Sequence, residues 1–134
     1  MPELACRLEP APAVPGAVVA VVRGVIDSKN VETLGAEFTA AAAKGFRTVI
    51  LDLRDIRYIN SSGLAFLVNL SDFLSSRGGS LHLANALPKV KVVFELMAVD
   101  QFFSLHASVD AAIAAIAKVR RAPRRAPSRL PAGR

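Results

Sequence analysis

The sequence has a single cysteine, Cys6, and no tryptophan among its 134 residues. One cysteine excludes a disulfide within the chain and fits a reducing compartment. No apolar run reaches the roughly 20 residues that a membrane-spanning helix needs. The amino-terminal segment MPELACRLEP also lacks the apolar stretch of a signal peptide. We therefore expect a soluble, cytoplasmic protein, and its 52% apolar content is ample for a packed interior.

Acidic residues are missing from the last part of the chain, which explains the net charge of +6. Seven of the 17 Lys and Arg residues lie from Lys118 onward, with no Asp or Glu among them. The other ten basic residues nearly balance the 11 acidic ones. We predict one domain over residues 1–117 and a disordered, basic tail over 118–134. Nucleic acid or a membrane is a conceivable partner only for this tail, which has no aromatic residue to stack on bases.

Motifs for catalysis and cofactor binding are scarce as well. Neither G-x-x-x-x-G-K-[ST] nor G-x-G-x-x-G is present, so the common phosphate-binding loops are absent from the sequence. One cysteine and two distant histidines, His82 and His106, do not form a metal-ligand set, and neither histidine has an obvious orienting partner. Asp52 and Asp55 could be a carboxylate pair, but a solvated strand end explains them better. We expect no cofactor, no metal and no enzymatic activity.

Segments typical of strands and of helices alternate along the chain. LACRLEP predicts a short first strand, and the Val-rich AVVAVVRGVI and RTVILDL predict two buried strands. RDIRYIN is interpreted as a link from the second of these to the next helix. SLHLAN and FFSLH predict two further short strands. Alternation of this kind indicates an α/β layer fold in which much of the sheet is parallel.

The first two helices follow the two buried strands. Apolar residues at helical spacing predict a helix from Val31, with Asp27 and Ser28 as candidate caps. Gly45 ends this helix at a position typical of a carboxy-terminal glycine. A second helix begins at Ser61 and stops at RGG, residues 77–79.

Two more helices are predicted in the last third of the chain. Pro88 opens the first of them, because proline fits the first helical position, where no N–H is needed. SVDAAIAAIAKV forms the final helix, with Ser108 or Asp110 near its start. No internal repeat is visible, so the elements build one domain rather than a repeat array.

The stretch YINSSGLAFLV, residues 58–68, joins a strand to a helix through small polar residues. Asn60, Ser61 and Ser62 all suit a helix N-cap, and Gly63 permits close approach of another backbone. An open surface of small residues would also leave a serine hydroxyl accessible. A phosphate there would sit at the positive end of the helix dipole, so the fold could carry it. The stretch is therefore a cap, a phosphorylation switch, or both.

Four stretches resemble the STAS domain, the family of anti-sigma-factor antagonists and sulfate-transporter tails. VVRGVIDSKNVETL resembles the family's strand, G-x-hydrophobic-D turn and helix, and RTVILDLRDIRYINSSGLAFLV resembles its D-S-S-G-L signature. GGSLHLANALPKVKVVFELMAVDQFF and ASVDAAIAAI resemble the segments that follow. The likeness runs from about residue 4 to 117. It implies a mixed sheet of four to five strands, with about four helices packed mainly on one face.

The resemblance also implies a function and a site. In such antagonists the first serine of the pair is the phosphoacceptor, which corresponds to Ser61. The unphosphorylated form binds a GHKL-type anti-sigma factor Ser/Thr kinase and thereby frees a sigma factor, and a PP2C-type phosphatase reverses the modification. The resemblance places on the partner-binding surface Gly24, Asp27, Ser28, Asn60, Ser62, Gly63 and Leu64.

One position departs from the family pattern. Antagonists commonly carry aspartate before the phosphoacceptor, whereas this chain has Asn60. Asparagine caps a helix equally well but brings no charge. Two alternatives therefore stay open beside the switched antagonist: a non-switching scaffold of the stressosome type, and a transporter-accessory protein acting in trans. In both, Ser61 is mainly a cap.

Overall fold

The computed structural model describes residues 5–121, and five strands form a single sheet in the order β1-β2-β3-β4-β5. The strands are β1 (Ala5–Pro10), β2 (Ala17–Ile26), β3 (Thr48–Ile59), β4 (Ser80–Ala84) and β5 (Ser104–His106). β1 pairs antiparallel with β2, and every other pairing is parallel. The prediction of an α/β fold with a largely parallel sheet is confirmed.

Four α-helices connect or follow the parallel strands. They are α1 (Val31–Ala43), α2 (Ser61–Ser76), α3 (Pro88–Leu96) and α4 (Val109–Arg121), with a short 3-10 turn at Asp100–Phe102. Helices α1, α2 and α3 are the crossovers between successive parallel strands and pack on one face of the sheet. Helix α4 packs on the other face. Crossovers between parallel strands are right-handed as a rule, and with strands in sequential order this rule places successive crossover helices on one face.

The larger core lies between the sheet and the three crossover helices. Alternate residues of β2 and β3, such as Val22 and Leu51, point into this core. They pack with the crossover helices through Leu34 of α1, Leu67 of α2 and Phe94 of α3. All five side chains are fully buried. Burial of this many aliphatic side chains is the main stabilising contribution to the fold. It also fixes where the amino-terminal ends of α1 and α2 stand above the sheet.

A smaller core lies between the sheet and α4. Here Ile50 and Ala84 of the sheet contact Ala112 and Ile116 of α4. The alanines keep α4 close to the strands, as expected for a core rich in small apolar residues. The hydroxyl oxygen of Ser108 accepts a hydrogen bond from the Ala111 N–H at 3.0 Å, so Ser108, which was expected near the start of this helix, caps it.

The structure corrects the interpretation of RDIRYIN as a link, because β3 continues without a break to Ile59. Its second half extends past β4, whose pairing with β3 ends at Asp52↔Ala84. Over residues 54–59, only Ile56 and Ile59 are buried. The pairing with β2 is irregular between Gly24 and Val25, and this bulge alters the alternation on which strand prediction depends.

The carboxy-terminal boundary also differs from the prediction. Helix α4 continues to Arg121, so residues 118–121 belong to the helix rather than to the predicted tail. The Arg120 guanidinium donates a hydrogen bond to the Pro15 carbonyl oxygen at 2.6 Å, which ties the end of α4 to the β1–β2 loop. The remainder of the predicted tail, residues 122–134, lies outside the described residues.

Glycines end the first two helices in the predicted places. Gly45 has a φ of +99° after α1, and Gly78 has a φ of +81° after α2. Both belong to the left-handed region that a Cβ atom disfavours. Next to Gly78, a Cβ atom on Gly79 would overlap the Arg47 carbonyl oxygen. The RGG stop therefore combines a helix terminator with close packing against the start of β3.

Candidate functional site

The amino-terminal end of α2 is capped by Asn60. Its backbone is extended, with φ −107° and ψ −174°, and its side-chain oxygen accepts a hydrogen bond from the Gly63 N–H at 3.0 Å. The Leu64 N–H donates to the Asn60 carbonyl oxygen at 2.9 Å. The predicted capping role belongs to Asn60, and it satisfies one of the amide groups that a helix start leaves without an acceptor.

Gly63 packs the first turn of α2 directly onto the end of β2. A Cβ atom at this position would overlap the Ile26 carbonyl oxygen and would lie 2.8 Å from Cγ1 of Ile59. The same Ile26 carbonyl oxygen accepts a hydrogen bond from the Asn60 N–H at 3.3 Å. The expected close approach of another backbone at Gly63 is confirmed. It holds the start of α2 against the end of β2.

Ser61 is exposed at the first position of α2, and Ser62 is half-buried beside it. The first turn contains no acidic residue that would offset the positive end of the helix dipole. Within residues 5–121, the backbone N–H groups of Ser61 and Ser62 have no hydrogen-bond acceptor. An oxyanion attached to Ser61 would therefore meet free N–H donors and a favourable dipole.

The loop after β2 is the second part of this site. The carboxylate of Asp27 accepts hydrogen bonds from the backbone N–H groups of Lys29 at 3.0 Å and Asn30 at 3.2 Å. The side-chain amide of Asn30 donates to the Val25 carbonyl oxygen at 2.9 Å. The N-cap of α1 is Asn30, so the prediction that Asp27 or Ser28 caps this helix is wrong. Asp27 instead shapes the turn before it.

The two loops are neighbours because both are fixed to Ile26. This residue ends β2, precedes Asp27, and contacts the start of α2 through its carbonyl oxygen. Ser28 in one loop and Ser61 in the other are both exposed. They therefore lie on one accessible surface at the carboxyl ends of β2 and β3, the edge where α/β sheets commonly bind ligands.

The predicted partner-binding residues differ in accessibility. Ser28 and Ser61 are exposed, whereas Gly63 and Leu64 are buried. Gly63 packs α2 against the end of β2, and Leu64 belongs to the core. Their contribution to a binding surface stays a prediction. Half-buried positions are held by Gly24, Asp27, Asn60 and Ser62.

Sequence reasoning missed two exposed residues near this surface. Arg57 and Tyr58 belong to the end of β3, and Tyr58 is 56% exposed. An exposed tyrosine next to a small-residue surface is typical of an interaction site. The β-branched and aromatic residues Ile56, Tyr58 and Ile59 were the signal that this segment is a strand.

His82 and His106 form a pair that the sequence did not indicate. Nδ1 of His82 lies 3.1 Å from Nε2 of His106, and Nε2 of His82 lies 2.8 Å from the Ser80 hydroxyl. Burial, and then the neighbouring His106, lower the pKa of His82 to about 4. Each histidine therefore has an orienting partner, contrary to the prediction. The chain of contacts ends at Ser80 and does not include Ser61.

Asp52 and Asp55 each have a separate partner. The Asp52 carboxylate is buried and accepts hydrogen bonds at 3.1 Å from the Arg54 N–H and the Asn85 side chain. Asp55 lies 3.7 Å from the Arg23 guanidinium. The prediction that both carboxylates are solvated therefore holds for Asp55 but not for Asp52, which is buried. Neither arrangement indicates acid–base chemistry, because Asp52 is committed to structural hydrogen bonds and Asp55 to an ion pair.

Residues 5–121 contain no group of three or more His, Cys, Asp or Glu side chains that could hold a metal ion. Over the same part of the chain, no helix combines the length and the apolar character needed to cross a membrane.

Comparison with known proteins identifies the family of the chain. A protein-family model described as the STAS domain matches residues 10–112. A Bordetella bronchiseptica protein named as an anti-sigma factor antagonist, BtrV, is 38% identical over 100 residues. The matched region covers 75% of this chain and 86% of that protein. The family match therefore extends from the end of β1 to the start of α4.

Solved structures share the same fold. A Thermotoga maritima protein described as an anti-sigma factor antagonist gives a TM-score of 0.76 at 22% identity, covering 87% of this chain and 95% of that chain. SpoIIAA, an anti-sigma factor antagonist, has been solved in two forms. Its unphosphorylated form gives a TM-score of 0.63 at 24% identity, covering 88% and 100% of the two chains. The phosphorylated form, from Bacillus, gives 0.64 at 23%, covering 84% and 99%.

Proposed function

The chain belongs to the STAS domain family, and on that premise we propose that it is an anti-sigma factor antagonist switched by phosphorylation of Ser61. It acts as a binding protein rather than an enzyme. In its unphosphorylated form it binds an anti-sigma factor Ser/Thr kinase of the GHKL type, and phosphorylation releases that partner. A PP2C-type phosphatase restores the binding form. The relative named as an anti-sigma factor antagonist supports the first part of this proposal.

The observation that carries the switch is the position of Ser61. Its exposed hydroxyl stands at the start of a 16-residue helix whose first turn has no acidic residue. A phosphate at this point adds nearly two negative charges, which the helix dipole and the free N–H groups favour. The fold can therefore remain intact while the charge and bulk of the surface change. A partner docked over this surface would then be expelled without unfolding of the antagonist.

The phosphoryl transfer requires only a nucleophilic hydroxyl from this chain. The Ser61 oxygen attacks the γ-phosphorus of ATP held by the kinase, the bond to the β-phosphate oxygen breaks, and the serine proton passes to a base on the kinase. ADP leaves. Hydrolysis by the phosphatase returns the hydroxyl and releases inorganic phosphate. The catalytic groups therefore belong to the two partner enzymes.

Mass spectrometry on the protein purified from its own host, both growing and stressed, tests the switch. We expect a phosphate on the peptide containing Ser61, at an occupancy that changes with the growth condition. Ser62 lies in the same peptide and is half-buried, so fragment ions that assign the site are an internal control. An unmodified peptide in every condition would contradict the switch and favour the scaffold or transporter-accessory role.

Binding measurements on purified kinases of the host test the partner. Wild type and Ser61→Ala should bind one such kinase, and Ser61→Asp should bind it at least about tenfold more weakly. Ser75→Asp is a control for charge, since Ser75 is exposed at the opposite end of the same helix and should leave the affinity unchanged. Equal affinity of wild type and Ser61→Asp would refute release by phosphorylation. If the isolated chain hydrolysed a nucleotide or another substrate, and the Ser61→Ala variant did not, the protein would instead be a serine-dependent enzyme.

A further inference from the structure

The outer edge of β1 has no neighbouring strand among residues 5–121. β1 stands at one end of the strand order and pairs only with β2, over Ala5–Pro10. It is six residues long, whereas β5 at the other end of the sheet has three. An edge strand presents unpaired N–H and C=O groups to any strand that approaches it. In the described sheet, β1 is therefore the longer of the two edges to which a further strand could be added.

The phase of the β1–β2 ladder shows which backbone groups face outward. The Ala11 N–H, directly after β1, donates to the Ala17 carbonyl oxygen at 3.0 Å. Hydrogen-bonded and non-hydrogen-bonded pairs alternate along an antiparallel ladder. Counting back along the register from this pair, the odd-numbered residues of β1 are hydrogen-bonded to β2. The N–H and carbonyl groups of Cys6 and Leu8 therefore point away from β2, as does the carbonyl of Pro10.

The side chains of β1 alternate between a charged face and an apolar face. Arg7 and Glu9 are exposed on one face, where Nε of Arg7 donates to Oε2 of Glu9 at 2.7 Å. Cys6 and Leu8 lie on the other face, half-buried against the larger core. Charged side chains normally discourage pairing at an edge. Here, however, the two charges have opposite signs and flank Leu8 symmetrically.

A second copy of this strand fits the edge in one antiparallel register. With Leu8 opposite Leu8 of the second copy, Arg7 faces Glu9 on both sides of the centre. The outward N–H and carbonyl groups of the two Leu8 residues exchange hydrogen bonds, and each Cys6 N–H meets a Pro10 carbonyl oxygen. The charged pairs then occupy non-hydrogen-bonded positions, where Cα atoms are about 4.5 Å apart and side chains are closest.

Neighbouring registers lose this complementarity. A shift by one pair in either direction sets Arg7 opposite Arg7 or Glu9 opposite Glu9, and like charges directly opposite each other are destabilising. The order of charges that best matches β1 in an antiparallel pair is thus the order in β1 itself. The charge pattern therefore favours another copy of this chain as the partner of the edge.

We propose that the edge of β1 binds the same edge of a second copy of this chain, which forms a twofold dimer with a sheet continuous through both copies. The interface is isologous, so each contact occurs twice. β1 contains neither Ser61 nor any residue of α2, so the pairing is independent of phosphorylation. A single pair of short strands buries less surface than a standard interface, and the dimer is therefore weak and concentration-dependent.

Analytical ultracentrifugation of the full chain, from about 10 µM to about 1 mM, tests the dimer. Arg7→Glu should weaken dimerisation by about tenfold or more, because two like-charged pairs replace two opposite ones. Arg7→Glu combined with Glu9→Arg restores opposite charges across the interface and should return the affinity to within about threefold of wild type. Lys89→Glu makes the same change of charge at an exposed position of α3 and should leave the affinity within about twofold.

Amide hydrogen exchange at both ends of this concentration range locates the interface. Exchange at Cys6 and Leu8 should slow by about threefold or more in the concentrated sample, because their N–H groups become bonded only in the dimer. The amide of Glu9, already bonded to β2, should stay protected in every variant, which shows that β1 remains in the sheet. A monomer at the highest concentration, a double variant as weak as Arg7→Glu, or a dimer without added protection at Cys6 and Leu8 would overturn the proposal.

Discussion

Gly63 and Ile26 are in such close contact that one added methyl group on Gly63 would overlap the Ile26 carbonyl oxygen. That oxygen also accepts the hydrogen bond from the Asn60 N–H. The end of β2 and the start of α2 are therefore joined by one packing contact and one hydrogen bond. The surface that carries Ser61 and the loop that carries Asp27 are positioned by this junction.

Gly63→Ala should destabilise the protein by about 3 kcal/mol, because the Ile26 backbone must move to admit the methyl group. Gly35→Ala is a matched control within α1. Its Cβ atom would make an ordinary contact 3.5 Å from Phe66, and alanine favours the helix by about 0.5–1 kcal/mol. Urea unfolding should thus show changes of opposite sign. Similar free energies of unfolding for the two variants would contradict the close-packing account.

Asn60→Ala should lower the free energy of unfolding by about 1 kcal/mol, because the Gly63 N–H loses its side-chain acceptor. Asn60→Asp should retain the cap and equal or slightly exceed wild type, since its negative charge lies at the positive end of the α2 dipole. Chemical unfolding of the three proteins at neutral pH checks this order. An alanine variant as stable as wild type would show that the hydrogen bond contributes nothing.

Ser61→Asp should leave the fold intact and raise its stability by about 0.3–1 kcal/mol through the helix dipole. Ser75→Asp, at an exposed position in the last turn of the same helix, should lower stability by a similar amount. Thermal unfolding at low ionic strength and again in about 1 M salt, where the Debye length is roughly 3 Å, tests the electrostatic cause. Opposite shifts that shrink in high salt are expected. A large loss of stability in Ser61→Asp would mean that the fold does not tolerate the charge.

The His82–His106 pair should make stability depend on pH. The pKa of His82 is lowered from 6.5 to about 4, and burial also lowers that of His106. The unfolded chain therefore binds more protons than the folded one between these values. The stabilisation is fully present above pH 6.5 and is lost as the pH falls towards 4.

Urea unfolding at pH 7.5 and pH 5 measures this dependence. Wild type should lose more stability between the two pH values than His82→Gln, which lacks the titrating imidazole of that position. When the change in the free energy of unfolding of one protein is subtracted from that of the other, the contribution of carboxylates that titrate equally in both proteins cancels. Equal differences would show that the His82 pKa is not lowered in the folded state.

The strongest sequence predictions were those with local causes. The bounds of β2, Ala17–Ile26, agree with the Val-rich run, and α2 begins at Ser61 as its small polar residues indicated. Gly63 was identified as a position of close backbone approach. In each case a property of adjacent residues, such as capping, chain flexibility or continuous apolar character, determines the structure.

The missed features depend on pairing between distant segments. The bulge beside Gly24 places Ile56 and Ile59 three residues apart on the buried side, so β3 does not show simple alternation. His82 and His106 are 24 residues apart, and the parallel register of β4 and β5 brings them together. The buried position of Asp52 likewise depends on a contact with Asn85, from another strand end. No local pattern encodes these contacts.

The sequential order of the five strands has a consequence for how the chain is made. Each strand pairs with the one that precedes it along the chain. A sheet of this kind can grow by one strand at a time during synthesis on the ribosome, since no strand waits for a later one to be inserted between existing neighbours. Helix α4, the last element translated of those described, then closes the open face. Vectorial synthesis and strand order therefore run in the same direction.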